Sequence, residues 1–281
     1  MCDPYRPHII MPMHASTPIN RFNGYFCAMN KLLGYLFTPL YLLTFGLTLV
    51  VFTPIQWLAF NLFGYKAQQQ MVYVMNWCLM RCIHIVGGSV NFRMPQPALP
   101  VGPNYIFAAN HQSMNDIPAM IWFLRHYRSV FIAKQELSKG VPGISYNYKC
   151  GGAVGIIRKD PVQAREAIAG LAKRCAQTSE AICIFPEGTR SRDGQLKPFQ
   201  AGGMKTILQH IPEAMVVPIA IENSWKLVKY KFWPIPFGVP LRWTVLEPIA
   251  CKGLDGEEVT RRVEAAIAGH LNSEFAIRDS K

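Results

Sequence analysis

Two short segments contain the side chains best suited to chemistry in this chain. In the first, residues 110–116, His111 is followed five residues later by Asp116. A neutral imidazole has a pKa near ~6.5 and accepts a proton from an alcohol if a second group fixes its tautomer and stabilises the imidazolium. The spacing therefore predicts a histidine base oriented by Asp116. The alternative is that Asp116 or a neighbouring polar residue only caps a helix, because short patterns of this kind recur by accident.

The second segment, residues 185–191, reads Phe-Pro-Glu-Gly-Thr-Arg-Ser and follows an apolar run of strand type. Proline and glycine are typical of a turn that ends a strand, and open α/β sheets bind ligands at the carboxyl ends of their strands. The planar guanidinium of Arg190 suits a phosphate, since it can donate two parallel hydrogen bonds. Together, the two segments predict deprotonation of a hydroxyl group on an anionic substrate. An exposed loop with solvated arginines is the alternative.

Alternating apolar patterns predict the elements that position these segments. We expect an α/β fold, with a mostly parallel sheet flanked by helices and an N-terminal membrane-associated helical element. His111 would then lie in a loop between a buried strand and a helix. The predicted strands are 105–109, 129–133, 153–157, 181–185, 216–221 and 241–247, and the predicted helices are 117–127, 161–177, 202–210 and 256–276.

Four blocks, spread over about residues 100 to 225, resemble the glycerophospholipid acyltransferases and most of all the 1-acylglycerol-3-phosphate acyltransferases. Two positions depart from the family pattern: Gly155 stands where an aromatic residue is usual, and Gln200 where lysine is common. The blocks are Asn110-His111-x4-Asp116, the stretch from Lys134 to Arg158, residues 185–191, and residues 217–220 with their flanks.

The resemblance implies a mechanism without a covalent acyl-enzyme. His111 would remove the proton from the free hydroxyl of a 1-acylglycerol-3-phosphate acceptor, which attacks an acyl thioester and gives phosphatidic acid, while Asp116 orients the imidazole. Arg190 would bind the acceptor phosphate, with Arg158 and Lys134 as further cationic partners. The donor would be acyl-CoA or acyl carrier protein as co-substrate, with no other cofactor.

The turn itself has an implied role as well. Glu187, Gly188 and Thr189 would shape the acceptor site, and backbone amides near Gly188 are candidate donors to the thioester oxyanion. Other functions stay open: acyl transfer to a different lysolipid, such as a lysophospholipid or lyso-aminolipid, thioester hydrolysis, or non-catalytic lipid binding.

Residues 32–65 contain no charged side chain over 34 positions, whereas a single membrane span needs only ~20. Pro39 and Pro54 interrupt this run, which predicts either one tilted span or a pair of shallow helices that enter one leaflet and return. We favour the returning pair, because it keeps both flanks on the cytoplasmic side of the inner membrane, where the active site would face acyl thioesters. A buried hairpin in a soluble protein is the remaining alternative.

The organisation along the chain follows from composition. We expect a loose N-terminal arm over residues 1–30, a membrane-associated helical region over 31–94 that includes an amphipathic helix from 71 to 86, and an α/β acyltransferase domain over 95–281. Residues 229–240 mix aromatic, basic and proline residues. This stretch is either a loop at the bilayer interface or a packed surface loop.

The net charge of +12 predicts anionic partners. Membrane lipids, a lysophospholipid acceptor and coenzyme A phosphates fit this charge. Against nucleic acid, the aromatic residues are concentrated in apolar runs, apart from residues 229–240, and no nucleic-acid motif appears. The 8 cysteines and 7 histidines show no metal-ligand spacing. We therefore expect no metal, no nucleic acid partner and free thiols in a reducing cytoplasm.

Overall fold

A computed structural model describes the backbone of residues 18–279 and the side chains of residues 29–273. It contains seven α-helices and eight strands in this range. The helices are α1 (Pro18–Phe63), α2 (Tyr65–Arg81), α3 (Asp116–Phe123), α4 (Ile144–Lys149), α5 (Pro161–Thr178), α6 (Ala201–Leu208) and α7 (Gly256–Asp279). The strands are β1 (Ser89–Arg93), β2 (Tyr105–Ala109), β3 (Val130–Lys134), β4 (Ala153–Ile156), β5 (Ile182–Ile184), β6 (Met215–Glu222), β7 (Pro240–Val245) and β8 (Ile249–Ala250).

All eight strands join one mixed sheet in the order β1-β7-β6-β2-β5-β3-β4, with β8 paired to β6. The five strands β6, β2, β5, β3 and β4 are parallel. β7 and β8 run antiparallel to β6, and β1 is parallel to β7. The predicted α/β fold with a mostly parallel sheet is confirmed, and the carboxyl ends of the five parallel strands meet at one edge.

Alternation along β2 explains the two layers that cover the sheet. Tyr105 and Phe107 face a core formed with α1, α2 and α3, whereas Ile106 and Ala108 face a second core formed with α5, α6 and α7. Successive side chains of a strand point to opposite faces, so a central strand covered on both sides must be apolar throughout. All five residues of β2 are buried accordingly.

The expected domain boundaries need two corrections. Residues 1–17 of the predicted loose arm lie outside the described residues, but α1 already begins at Pro18, so residues 18–30 are helical. At the other boundary, β1 precedes residue 95 and pairs with β7 along its whole length. Its side chains alternate between exposed and half-buried, which is the pattern of an edge strand, and the α/β domain therefore includes Ser89–Arg93.

The expected pair of shallow helices within residues 32–65 is wrong. α1 continues through Pro39 and Pro54 and ends only at Phe63. The chain reverses at Gly64, whose φ of +77° is readily available to glycine, and α2 then packs back along α1. The apolar run thus forms one arm of a long hairpin rather than a complete hairpin of its own.

A threonine precedes each proline of α1 and ties the helix to the α/β domain. The Thr38 hydroxyl donates to the Gly34 carbonyl at 2.6 Å and accepts the Ile235 N–H at 2.8 Å. The Thr53 hydroxyl does the same with Leu49, at 2.9 Å, and with the N–H of Gly143, at 2.7 Å. Proline removes a helical hydrogen bond, and these hydroxyls provide local polar contacts beside each site.

From residue 29 onward, α1 presents many apolar side chains outward. An 18-residue window within residues 29–63 has a mean hydropathy of 1.9, and by length and composition this one described helix is suited to cross a membrane. Tyr41 is an exception at 2% exposed, because it points into the core. The large exposed side chains of this helix include Leu32, Leu36, Leu40, Leu43, Leu47, Val50, Val51, Trp57, Leu58 and Phe63.

Gly34 lets α1 approach the α/β domain closely. A Cβ atom at this position would lie 2.6 Å from the carbonyl oxygen of Ile235, whereas a Cβ atom at Gly46 would meet nothing within 4 Å. Both residues are in α1. Substituting each of them in turn therefore distinguishes the effect of close packing against the α/β domain from the effect of helix propensity.

We predict that Gly34→Ala destabilises the protein by ~1 to 3 kcal/mol, because the added methyl group overlaps backbone. Gly46→Ala is the matched control and should be neutral or stabilising by up to ~1 kcal/mol, since alanine favours helix over glycine. Thermal unfolding of the full chain in detergent measures both. Equal midpoints for the two variants would show that Gly34 is not a close contact.

Candidate active site

Every predicted site residue lies at the carboxyl edge of the parallel strands. His111 follows β2, the 187–190 turn follows β5, Lys134 ends β3, and Arg158 follows β4. These four strands are neighbours in the sheet, so residues far apart in sequence converge on one edge.

His111 and Asp116 form the predicted pair. The Nδ1 atom of His111 lies 2.8 Å from Oδ2 of Asp116. That same oxygen accepts the backbone N–H groups of Gln112, at 2.7 Å, and Ser113, at 2.9 Å. Because Oδ2 accepts two backbone N–H groups, it carries no proton of its own and acts only as an acceptor. The Nδ1–H of His111 therefore donates to it, and Nε2 carries the lone pair. The alternative that Asp116 only caps a helix does not account for these contacts, because Asp116 accepts hydrogen bonds from both the loop amides and the imidazole.

Ser224 completes the contacts of the Asp116 carboxylate. Its hydroxyl donates a short hydrogen bond to Oδ1 of Asp116, and both residues are 0% exposed. Ser224 follows β6, the strand next to β2, and Asn223 before it adopts φ +68°. Sequence reasoning missed Ser224 because 108 residues separate it from Asp116. The sequence did offer one indication of a site residue: Ser224 lies just after the predicted strand 216–221, where functional side chains of an α/β sheet are expected.

The turn at residues 187–190 and the residue after it, together called the arginine turn, form hydrogen bonds with both backbone groups of His111. The N–H of His111 donates to Oε1 of Glu187 at 2.8 Å, and the N–H of Ser191 donates to the His111 carbonyl at 2.7 Å. The ring of Phe185 stacks on the imidazole, with centroids 4.2 Å apart. The stacking and the hydrogen bonds hold the ring in one orientation.

Gly188 gives this turn a left-handed backbone conformation. Gly188 has φ +66°, and its N–H donates to the Phe185 carbonyl at 3.0 Å. That hydrogen bond occupies the amide of Gly188 itself, and the other backbone amides near Gly188 stay the predicted oxyanion donors. Lys197, which sequence reasoning also missed, braces the turn by donating to the Thr189 hydroxyl at 3.1 Å and to the Arg190 carbonyl at 2.8 Å.

Arg190 and Arg158 form a cationic edge beside the pair. Both side chains are exposed, and neither donates a hydrogen bond or forms an ion pair with the residues that the structure describes. Partial burial and the neighbouring Arg190 charge lower the pKa of Arg158, while Glu136 opposes the shift. Two guanidinium groups close enough to repel each other favour an anion between them. Lys134 is exposed on the intervening strand.

The apolar helix α1 contacts the loop that contains His111 and Asp116. The Tyr41 hydroxyl of α1 donates to Oδ1 of Asn115 at 2.9 Å, and the N–H of Asn115 donates to the Ser113 hydroxyl at 3.0 Å. Ser113 in turn contacts Asp116, so α1 connects to the carboxylate through two side chains. The sequence placed Tyr41 in an apolar run and gave no sign of this partner.

The two departures from the family pattern have local explanations. A Cβ atom at Gly155 would lie 2.1 Å from Oε1 of Gln135, so the Gln135 side chain occupies the space of a larger residue. Gln200 precedes α6, and its N–H donates to the Pro186 carbonyl at 2.9 Å. It therefore steadies the arginine turn through its backbone. Among the described residues, no cluster of three His, Cys, Asp or Glu side chains is arranged to hold a metal ion.

Comparison with known proteins agrees with this geometry. Residues 89–222 match a family model described as Acyltransferase. This segment of the chain, just under half of its length, is therefore similar to that family. Proteins similar to this chain include 1-acyl-sn-glycerol-3-phosphate acyltransferases from Limnanthes douglasii, 28% identical over 60% of this chain and 64% of that protein, and from Haemophilus influenzae, 25% identical over 54% and 62%. The matches thus span just under two thirds of these relatives.

A solved structure shares the fold of this chain. The crystal structure of the 1-acyl-sn-glycerophosphate (LPA) acyltransferase PlsC from Thermotoga maritima aligns with a TM-score of 0.69. The alignment covers 86% of this chain and 97% of that one at 22% identity. At this identity the likeness establishes the fold.

We predict that Ser224→Ala lowers kcat by ~10-fold and leaves both KM values near wild type, because it removes one hydrogen bond to a charged carboxylate. Steady-state acyl transfer measures this. Ser129→Ala, which removes a hydroxyl just before β3, is the control and should retain full activity. A rise in KM without loss of kcat would place Ser224 in substrate binding instead.

Glu187 gives a second prediction. Burial raises the pKa of its carboxyl from 4.5 to about 7, although the N–H groups of His111 and Lys197 partly oppose this, and Oε2 is buried without a hydrogen-bond partner among the described residues. Because the folded pKa exceeds the unfolded one, the stabilisation is complete below about pH 4.5 and is lost as pH rises through about 7.

The difference between wild type and Glu187→Gln isolates this effect, since glutamine does not titrate. Wild type should lose on the order of 2 kcal/mol more stability than the variant between pH 5 and pH 8. Thermal unfolding at both pH values measures it. Parallel pH profiles for the two proteins would mean that Glu187 titrates normally.

Proposed function

We propose that this protein transfers a fatty acyl group from an acyl thioester to the free hydroxyl of 1-acylglycerol-3-phosphate and forms phosphatidic acid. The observation that carries the proposal is the contact of His111 with both Asp116 and the arginine turn. It puts a histidine base and a cationic site at one edge of the sheet. The names of the relatives support the same reaction.

The base acts through Nε2. Nδ1 of His111 is held by Asp116, so the other ring nitrogen accepts the proton as the acceptor oxygen attacks the thioester carbonyl. The resulting tetrahedral intermediate collapses by breaking the carbon–sulfur bond. The departing thiolate takes the proton back from the imidazolium, which returns His111 to its starting state. Asp116 stabilises the imidazolium between these steps.

The acceptor phosphate binds to the cationic edge. Arg190 is the main ligand, because its turn is hydrogen-bonded to the His111 carbonyl through Ser191 and so fixes its distance from the base. Arg158 and Lys134 add charge from the neighbouring strands. A 1-acylglycerol-3-phosphate places its free hydroxyl near its phosphate, which suits a base beside a guanidinium.

The donor is acyl-CoA or acyl carrier protein, and the net charge of +12 suits an anionic carrier of either kind. Both the acceptor and the product are amphiphiles. The outward apolar face of α1 therefore associates with the membrane, on the cytoplasmic side of the inner membrane, where acyl thioesters are made. Tyr41 connects that helix to the loop that holds the base.

We expect His111→Ala to reduce acyl transfer on the order of 1000-fold, because no other side chain of the site replaces the base. Incubation of purified protein with radiolabelled acyl-CoA and a panel of lysolipids measures the product. His126→Ala, on an exposed histidine outside the site, is the control. Retained transfer by His111→Ala would refute the mechanism, and release of free fatty acid without an acceptor would indicate a hydrolase.

Arg190→Ala should raise the KM for the acceptor by ~10- to 100-fold and change the KM for the donor little, because it removes a charge-assisted hydrogen bond to phosphate. Arg192→Ala tests a neighbouring exposed arginine and should have a small effect. Equal losses for acceptor and donor in Arg190→Ala would contradict the assigned role.

A further inference from the structure

The chain between β6 and β7 forms an exposed surface that the reaction does not use. Residues 225–237, here called the lysine–aromatic segment, contain three lysines and no acidic residue. Trp233 is 53% exposed and Tyr230 is 47% exposed. Lys229 and Lys231 are exposed and form no ion pair with the described residues. For residues 229–240, which overlap this segment, the sequence left open a bilayer contact or a packed surface loop.

The lysine–aromatic segment is fixed along α1. The N–H of Ile235 donates to the Thr38 hydroxyl at 2.8 Å, and Gly34 packs against the Ile235 carbonyl. The rings of Tyr35 and Trp233 meet edge to face with centroids 6.3 Å apart. The exposed indole is therefore continuous with the outward apolar face of the helix.

Its side chains have the composition of a membrane interface. Tryptophan and tyrosine concentrate where hydrocarbon meets headgroups, and lysines near that level attract anionic lipids. The ammonium group of Lys229 lies 5.8 Å from the Trp225 ring and 5.7 Å from the Tyr230 ring. The two rings hold this charge at the surface next to Trp233.

We propose that the lysine–aromatic segment is a second membrane contact, beside α1, which binds the headgroups of an anionic lipid surface. The inference rests on the membrane association in the proposed function. It commits to a lipid surface because the segment continues the apolar face of α1 and adds positive charge without acidic residues. The segment starts next to Ser224, which holds Asp116, so this contact brings the lipid surface to the edge where the acceptor binds.

The test compares binding of the full-length protein to vesicles of phosphatidylcholine alone and of phosphatidylcholine mixed with phosphatidylglycerol. Wild type should bind the anionic vesicles more tightly, and added salt should reduce the difference. Lys229→Gln/Lys231→Gln should weaken binding to the anionic vesicles by ~10-fold and leave binding to neutral vesicles unchanged. The control is Lys173→Gln/Lys252→Gln, on α5 and after β8, and should retain the full preference.

Tyr230→Ser is a second variant for the vesicle-binding test. No ring contact joins Tyr230 to the described part of α1, so we expect this substitution to leave folding unaffected. It should weaken binding to both kinds of vesicle by ~3- to 10-fold. Lys229→Gln/Lys231→Gln should also keep wild-type transfer to a water-soluble short-chain acceptor.

Two results would overturn the proposal: an undiminished anionic preference in Lys229→Gln/Lys231→Gln, or an equal loss in the Lys173→Gln/Lys252→Gln control. Failure of wild type to bind any vesicle would refute membrane association itself. Binding of wild type to neutral vesicles without an anionic preference would refute only the role of the lysine–aromatic segment.

Discussion

The buried carboxylate of Asp116 is the constraint on which the rest of the site depends. It is 0% exposed, and a charge in that position requires hydrogen-bond donors on every side. The loop amides of Gln112 and Ser113, the His111 ring and the Ser224 hydroxyl provide them. Satisfying this one group therefore fixes the loop after β2, the imidazole, and the start of the segment after β6.

The same loop links the His111–Asp116 pair to the apolar helix α1. On one side it is bonded to the arginine turn through Glu187 and Ser191, and on the other to α1 through Tyr41. An enzyme whose acceptor is an amphiphile must meet its substrate at a surface. In the proposed function, this need is met by a base that two side chains connect to α1, the helix proposed to associate with the membrane, and the Thr38 contact joins that helix to the α/β domain.

Much of this arrangement could be predicted from sequence, because local patterns encode it. The apolar alternation that predicted strands such as Tyr105–Ala109 reflects burial on both faces, and the spacing of His111 and Asp116 reflects one loop. The failures have a common cause. Ser224 and Tyr41 reach the site only through tertiary packing, and α1 continues through two prolines at which a local proline rule places interruptions.

The central claim is that an imidazole held by this carboxylate takes the proton of a lipid hydroxyl. Acyl transfer by Asp116→Asn tests it most directly, because the amide keeps the size of the side chain but no longer fixes the Nδ1–H tautomer of His111. We expect kcat to fall on the order of 1000-fold or more while acceptor binding, measured separately, stays near wild type. Near-normal turnover by Asp116→Asn, with its fold intact, would contradict the account.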